Sequence, residues 1–194
     1  VGAATVVPED VEAVLRTVPG VADVVVLGTP HPRLGQVVTA VVVGQDGADG
    51  KITWPGDDVY FRLCTAADVV LVEGDGSRRL PLKVMGPHEP VIPANTCEVH
   101  CLAGLSALGR PVRDVCFRWE LLNLDPEAVV TERLLAYIVE AGCLARIGDW
   151  KDKTTVVLNQ ADDEALCQAG KRILKKLSRP GKLTAYPAEM RESK

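Results

Sequence analysis

What the chain lacks narrows its class before any motif is considered. No apolar run approaches the roughly 18 residues of a membrane-spanning helix, because Pro and charge interrupt every candidate. There is no excess of basic charge. With 22 Lys and Arg against 26 Asp and Glu, the formal net charge is −4, which argues against a general binder of nucleic acid or anionic membranes. The start, Val1-Gly-Ala-Ala-Thr, has no basic stretch followed by an apolar one, so no signal peptide is read and a cytoplasmic location is expected. Cysteine is not dense: six in 194 residues, scattered among apolar positions, predict reduced thiols rather than a disulfide framework. Internal repeats and low-complexity tracts are also missing. The 47% of hydrophobic residues suffice for a real core at this length.

Two unequal parts follow from the pattern. In Pro8–Val18, Pro8 suits the first turn of a helix, and Glu9 and Asp10 place negative charge at the positive end of its dipole. Val11, Val14, Leu15 and Val18 then share one face, and Pro19-Gly20 stops the helix. Val24–Leu27 and Val37–Val43 are β-branched and predict strands, with Gly28–Gly35 as a loop between them. This gives a small α+β unit over 1–44, followed by a Gly- and Asp-rich junction over 45–64.

Residues 65–194 change rhythm. Asp68–Glu73, Cys97–Leu102 and Thr154–Leu158 predict strands, while Asp125–Ala141 and Asp163–Leu177 predict helices. Such alternation argues for an α/β fold with a partial, open, mostly parallel sheet, whose chemistry sits beyond the carboxyl ends of the strands. The tail after Pro180 is polar and reads as loosely held.

Candidate chemistry follows those strands. Glu73 and Asp75, set among glycines, are oxygen donors suited to Mg²⁺; the plain alternative is a turn, for which Asp-Gly-Ser is ordinary chemistry. Arg78, Arg79 and Lys83 supply a guanidinium fork and a point charge for an anion, with His88-Glu89 close behind. Asn159 and Asp162 have the Asn-x-x-Asp spacing that reads guanine in GTP-binding proteins, whereas the plain reading gives Asp162 or Asp163 to capping the next helix. In Cys97-x-x-His-Cys101, strand alternation puts His100 opposite both thiols, so core packing is expected rather than a metal site. Lys151-Asp-Lys-Thr-Thr155 has no glycines before it and leads into a strand, so it is not a phosphate loop.

Two resemblances add to this. Val7-Pro-Glu-Asp-Val-Glu-Ala-Val-Leu, Pro19–Pro30 and Leu34–Val43 resemble part of the C-terminal subdomain of adenylate-forming enzymes such as acyl-CoA synthetases. That family needs a large ATP-binding domain and a lysine in a Pro-x-x-x-Gly-Lys-like segment, and neither follows in place. Asp68-Val-Val-Leu-Val-Glu-Gly-Asp-Gly-Ser-Arg-Arg-Leu-Pro-Leu-Lys83, His88–Pro93, Gly104–Gly109, Arg118-Trp-Glu120 and Val157–Asp162 resemble accessory proteins of selenium-dependent molybdenum hydroxylases, the YqeC family.

The second resemblance implies a P-loop-NTPase-like fold without the phosphate loop, since no Gly-Lys-Thr loop is found. Phe117-Arg118 stands where a His-Arg pair is expected. It implies a role in maturing a molybdenum hydroxylase, with that enzyme or its maturation factors as partner. ATP or GTP with Mg²⁺ are the implied ligands: Lys83, Arg78, Asn159 and Asp162 for the nucleotide, Glu73 and Asp75 for the metal. The missing phosphate loop and adenylation lysine argue against an independent enzyme. Two further readings stand beside this one: a detached C-terminal portion of an acyl or aryl adenylating ligase, and a non-catalytic fused remnant.

Overall fold

The computed structural model describes residues 7–19, 21–31, 35–44, 54, 56–66 and 68–185. The chain divides into two compact units, Val1–Val72 and Glu73–Lys194.

In the first unit, α1 (Pro8–Arg16) precedes β1 (Val21–His31) and β2 (Gly35–Gly44), which pair antiparallel with Val24 opposite Val42 and Leu27 opposite Thr39. Leu15 is buried with Val24 and Val26, while Val11 and Val18 pack at the margin of that cluster. Val14, expected on the same face, is exposed: the inward stripe follows the 11–15–18 spacing and 14 falls outside it. Gly28–His31, expected as loop, continues β1, and only 32–34 lie between the strands, outside the described residues. Pro30 is tolerated because β1 is an edge strand of its sheet.

The stretch read as a junction contains a helix, α2 (Asp57–Ala66). Its Val59 and Leu63, four residues apart, join the first unit's core, and Trp54 Nε1 donates to Asp57 Oδ1 at its start. Residues 45–53 of that junction lie outside the described residues. The strand expected over 68–73 shrinks to β3 (Val69–Val70), paired parallel with β2. Leu71, Val72 and Glu73 are exposed, so this run is not the buried strand that its composition suggests.

The second unit is mixed α/β. Three strands, β5 (Val99–Gly104), β7 (Thr154–Asn159) and β8 (Gly181–Leu183), form an all-parallel open sheet in the order β5-β7-β8. A second, two-stranded parallel sheet joins β4 (Leu82–Lys83) to β6 (Cys116–Phe117), which directly follows the single-turn α3 (Val112–Val115). α4 (Glu132–Tyr137) begins seven residues later than expected and is capped by Thr131, whose side chain accepts from Leu134 N. The preceding Asp125–Val130 region is instead tied to the chain before α3, by a β-bridge between Pro111 and Val129. α4 then widens into a π-helical segment, Ile138–Cys143.

α5 (Glu164–Leu174) starts at Asp163, whose carboxylate accepts from Leu166 N at 2.7 Å. It ends three residues short of the expected Leu177. Arg172 on α5 holds Glu132 on α4. Gly181–Leu183, expected in a loose tail, is pinned to β7. The core gathers Leu82, Leu105, Val115, Leu135, Leu158 and Ile173, each 2% exposed or less. Among the described residues no helix is long and apolar enough to cross a membrane.

Candidate functional site

The pairing of β4 with β6 sets Lys83 beside Phe117, and Val84 N donates to Phe117 O at 2.9 Å. Leu82 and Val84, on either side of Lys83, are core residues, so the backbone carries the lysine stem into the interior. Its side chain is only 7% exposed. A buried ammonium without partners would cost several kcal/mol. Here Nζ donates to Gly76 O at 2.8 Å and lies 2.8 Å from Glu89 Oε2 and 3.2 Å from Asp75 Oδ2. Three oxygens thus surround the three N–H groups of the ammonium.

Glu89 Oε2 collects three donors in turn: Lys83, Gly86 N at 2.9 Å and Arg118 Nη1 at 2.5 Å. Burial alone would raise the Glu89 pKa, but the Gly86 N–H, the Lys83 hydrogen bond and charge, and the Arg118 charge outweigh it. The carboxyl is therefore held below its usual range. Gly86 leaves room for Arg118, since a Cβ there would stand 2.7 Å from Arg118 Nη1 and push the guanidinium away from Glu89. Asp75 Oδ2, by contrast, is buried and accepts no well-directed hydrogen bond; the Lys83 charge, 3.2 Å away, offsets its burial.

The Phe117 ring gathers cations. Arg78 lies 4.6 Å from its centre, Arg118 4.7 Å and Lys83 5.9 Å. Arg78, Arg79 and Arg118 all sit in the left-handed region, at φ of 54°, 60° and 60°. For non-glycine residues that conformation is sparsely populated. Beneath the cluster, Cys143 Sγ donates to Lys83 O at 3.2 Å. Its thiol is pushed well up by a hydrogen bond with Cys101 and by burial, and burial pushes Cys116 to about 12. These thiols fill space and are not nucleophiles at neutral pH. None of the six cysteines, all of them described residues, is in a disulfide.

The predicted residues therefore divide. Asp75, Lys83 and Arg78 come together, as expected from their spacing. Glu73 is exposed, and no hydrogen bond or ion pair links it to Asp75 or to another described residue. The Glu73-Gly-Asp-Gly-Ser signature also does not sit at the carboxyl edge of the parallel sheet, because β3 belongs elsewhere. Among the described residues no group of three or more His, Cys, Asp and Glu is arranged to hold a metal. His88 is exposed. Cys101 is buried as expected, but Cys97 is exposed because β5 starts only at Val99.

The other predicted element, Asn159–Asp162, does follow a parallel strand, β7. Asn159 Oδ1 is buried without a hydrogen bond. Gln160, at φ 63°, accepts from Ser106 Oγ at 2.6 Å. This close packing needs Gly104, where a Cβ would meet Gln160 Oε1 at 2.4 Å and Pro81 at 2.6 Å. The cap of α5 is Asp163, not Asp162. Sequence reasoning left three partners off the ligand set: Glu89, Phe117 and Arg118. Their signal was present in His88-Glu89-Pro90 and Phe117-Arg118-Trp119, but only the pairing of β4 with β6 shows that they meet Lys83.

Comparison with known proteins finds a similarity over the segment that carries the cluster. The model of the family described as YqeC protein matches residues 32–120, a span that includes Asp75, Arg78, Lys83, Glu89, Phe117 and Arg118. A curated relative in Escherichia coli (strain K12), described as uncharacterized protein YqeC, is 40% identical over 68 residues. The matched stretch covers 32% of this chain and 27% of the relative, so the likeness spans about a quarter of that relative's length. No solved structure matches.

Proposed function

On the similarity of residues 32–120 to the YqeC family, we propose that this protein is an accessory factor in the maturation of a selenium-dependent molybdenum hydroxylase. In this reading its second unit binds a nucleotide, ATP or GTP, together with Mg²⁺. The observation that carries the reading is Lys83, an ammonium buried between two carboxylates beside a ring that bears two further cations. Replacing a buried ion pair with apolar groups is often neutral or stabilising, so fold stability alone is a weak reason for such a cluster.

In the proposed site, Lys83 orders the 75–76 turn through Gly76 O and Asp75 Oδ2. Glu89, which also meets the ammonium, is held by Arg118. Asp75 has the donor chemistry for Mg²⁺, and its Oδ2 lacks a directed partner. With no group of three acidic or His/Cys ligands among the described residues, the ion would rely on one or two carboxylates, water and the nucleotide's phosphates. When bound, Mg²⁺ neutralises phosphate charge. No Gly-Lys-Thr loop is present to supply a cradle of backbone N–H groups, so side chains carry the binding and affinity is expected to be modest. Asn159, with its buried unpartnered Oδ1, and Asp162 are the candidates for reading a guanine base. The partner is the hydroxylase or one of its maturation factors, in the cytoplasm, with no role for nucleic acid or membrane.

The test is genetic and biochemical together. Cells lacking this protein should produce the hydroxylase with its molybdenum centre incomplete. Wild-type chain should restore it, and Asp75→Asn should not. A hydroxylase that matures normally without this protein contradicts the proposal.

A further inference from the structure

The cations around Phe117 are not equivalent, and their hydrogen-bonding capacity separates them. Lys83 has three N–H groups and three oxygens within 3.2 Å. Arg118 spends Nη1 on Glu89. Two positive and two negative charges, Lys83, Arg118, Asp75 and Glu89, therefore cancel within the cluster. Arg78 stands outside that balance. It is exposed, its guanidinium lies 4.6 Å from the Phe117 ring centre, and it makes no hydrogen bond or ion pair with any described residue. Arg79, next to it and equally exposed, makes none either.

Arg78 is held over the ring without spending an N–H group on any described residue. Its guanidinium is thus a fork available to two oxygens of one phosphate, with part of its rotamer entropy already lost. The left-handed backbone at Arg78 and Arg79 fixes where these side chains leave the main chain, and Lys83 holds the preceding turn through Gly76 O.

We infer that Arg78, with Arg79 beside it, is the residue that grips a polyphosphate group at this site, and that Lys83 is a positioning residue, held by three oxygens within 3.2 Å. The inference rests on the reading of the cluster as a nucleotide site and specifies which side chain meets the phosphates.

The experiment is calorimetric titration of the full chain with Mg²⁺-ATP, Mg²⁺-GTP and inorganic pyrophosphate, for wild type, Arg78→Gln and Arg79→Gln, beside thermal melts. Binding by wild type that falls at least about tenfold in Arg78→Gln, with an unchanged melt, supports the inference. Arg79→Gln should weaken binding less. Loss of pyrophosphate binding together with nucleotide binding places the contact at the phosphates. Arg78→Gln that binds all probes as wild type does overturns the inference while leaving the site reading intact. Wild type that binds none of the three probes overturns the site reading itself.

Discussion

The second unit has two polar ends of strands, and they are built differently. At β7, the side chains serve neighbouring elements: Asp163 caps the helix that begins one residue later, and Gln160 fastens the Leu105–Ala107 turn through Ser106. At β4, Lys83 draws its partners from positions 75, 76 and 89, and its ring neighbour Phe117 from a strand more than thirty residues away. The first end is explained by what helices and turns need, apart from the buried Asn159 Oδ1. The second holds charge inside the fold far beyond that need, with one carboxylate oxygen still lacking a directed partner. Position at a strand end is therefore a poor guide to function by itself; the cost of keeping charges buried is a better one.

The contrast can be broken most severely at Lys83. Lys83→Met leaves Asp75 and Glu89 without their shared cation, and unfolding in urea should show a loss of about 3–5 kcal/mol. A loss under about 1 kcal/mol would mean the charges are solvated and the two ends alike. Gly86→Ala should cost less, about 1.5 kcal/mol, by displacing Arg118 from Glu89 rather than emptying the centre. At the other end, Asp163→Ala removes only a helix cap and should cost about 1 kcal/mol with no effect on nucleotide binding.

Acid titration sharpens the comparison through Glu89. Its pKa is lowered on folding, so its contribution is fully present above the unfolded value of about 4 and disappears as pH falls through the lower folded value. Denaturation midpoints measured between neutral pH and acid should therefore fall below about pH 4, and Glu89→Gln should flatten that fall. A wild-type profile identical to the Glu89→Gln profile would contradict the arrangement. The smallest effect concerns thiols. Alkylation of the native chain should label Cys97, which is exposed, and spare Cys116, whose thiol is pushed up to about 12, and the buried Cys143.

Local chemistry was legible from residue order alone. The Val-rich runs became β1 and β2, Thr154–Leu158 became β7 with one residue added, and the acidic residue before the last amphipathic stretch became the cap of α5. Failures came where a local signal competed with a distant contact. Asp125-Pro126 looks like a helix start, but the Pro111–Val129 bridge claims that stretch and moves the start to Glu132. Glycine and aspartate disguised α2, whose apolar pair Val59 and Leu63 is enough to hold it in a core. Within the site, Asp75, Arg78 and Lys83 stood out because they fall within nine residues. Arg118 did not, because its place beside Lys83 exists only once β4 and β6 pair, and Glu89 was noted beside His88 but not as the partner of Lys83.

The most direct test of the central claim is equilibrium binding of ATP, GTP and their diphosphates to the full chain, with and without Mg²⁺, beside Asp75→Asn and Asp162→Ala. The account predicts saturable, Mg²⁺-dependent binding that Asp75→Asn abolishes, and a preference for guanine that Asp162→Ala removes. No binding at millimolar nucleotide would contradict it and leave the Lys83 cluster as a structural knot.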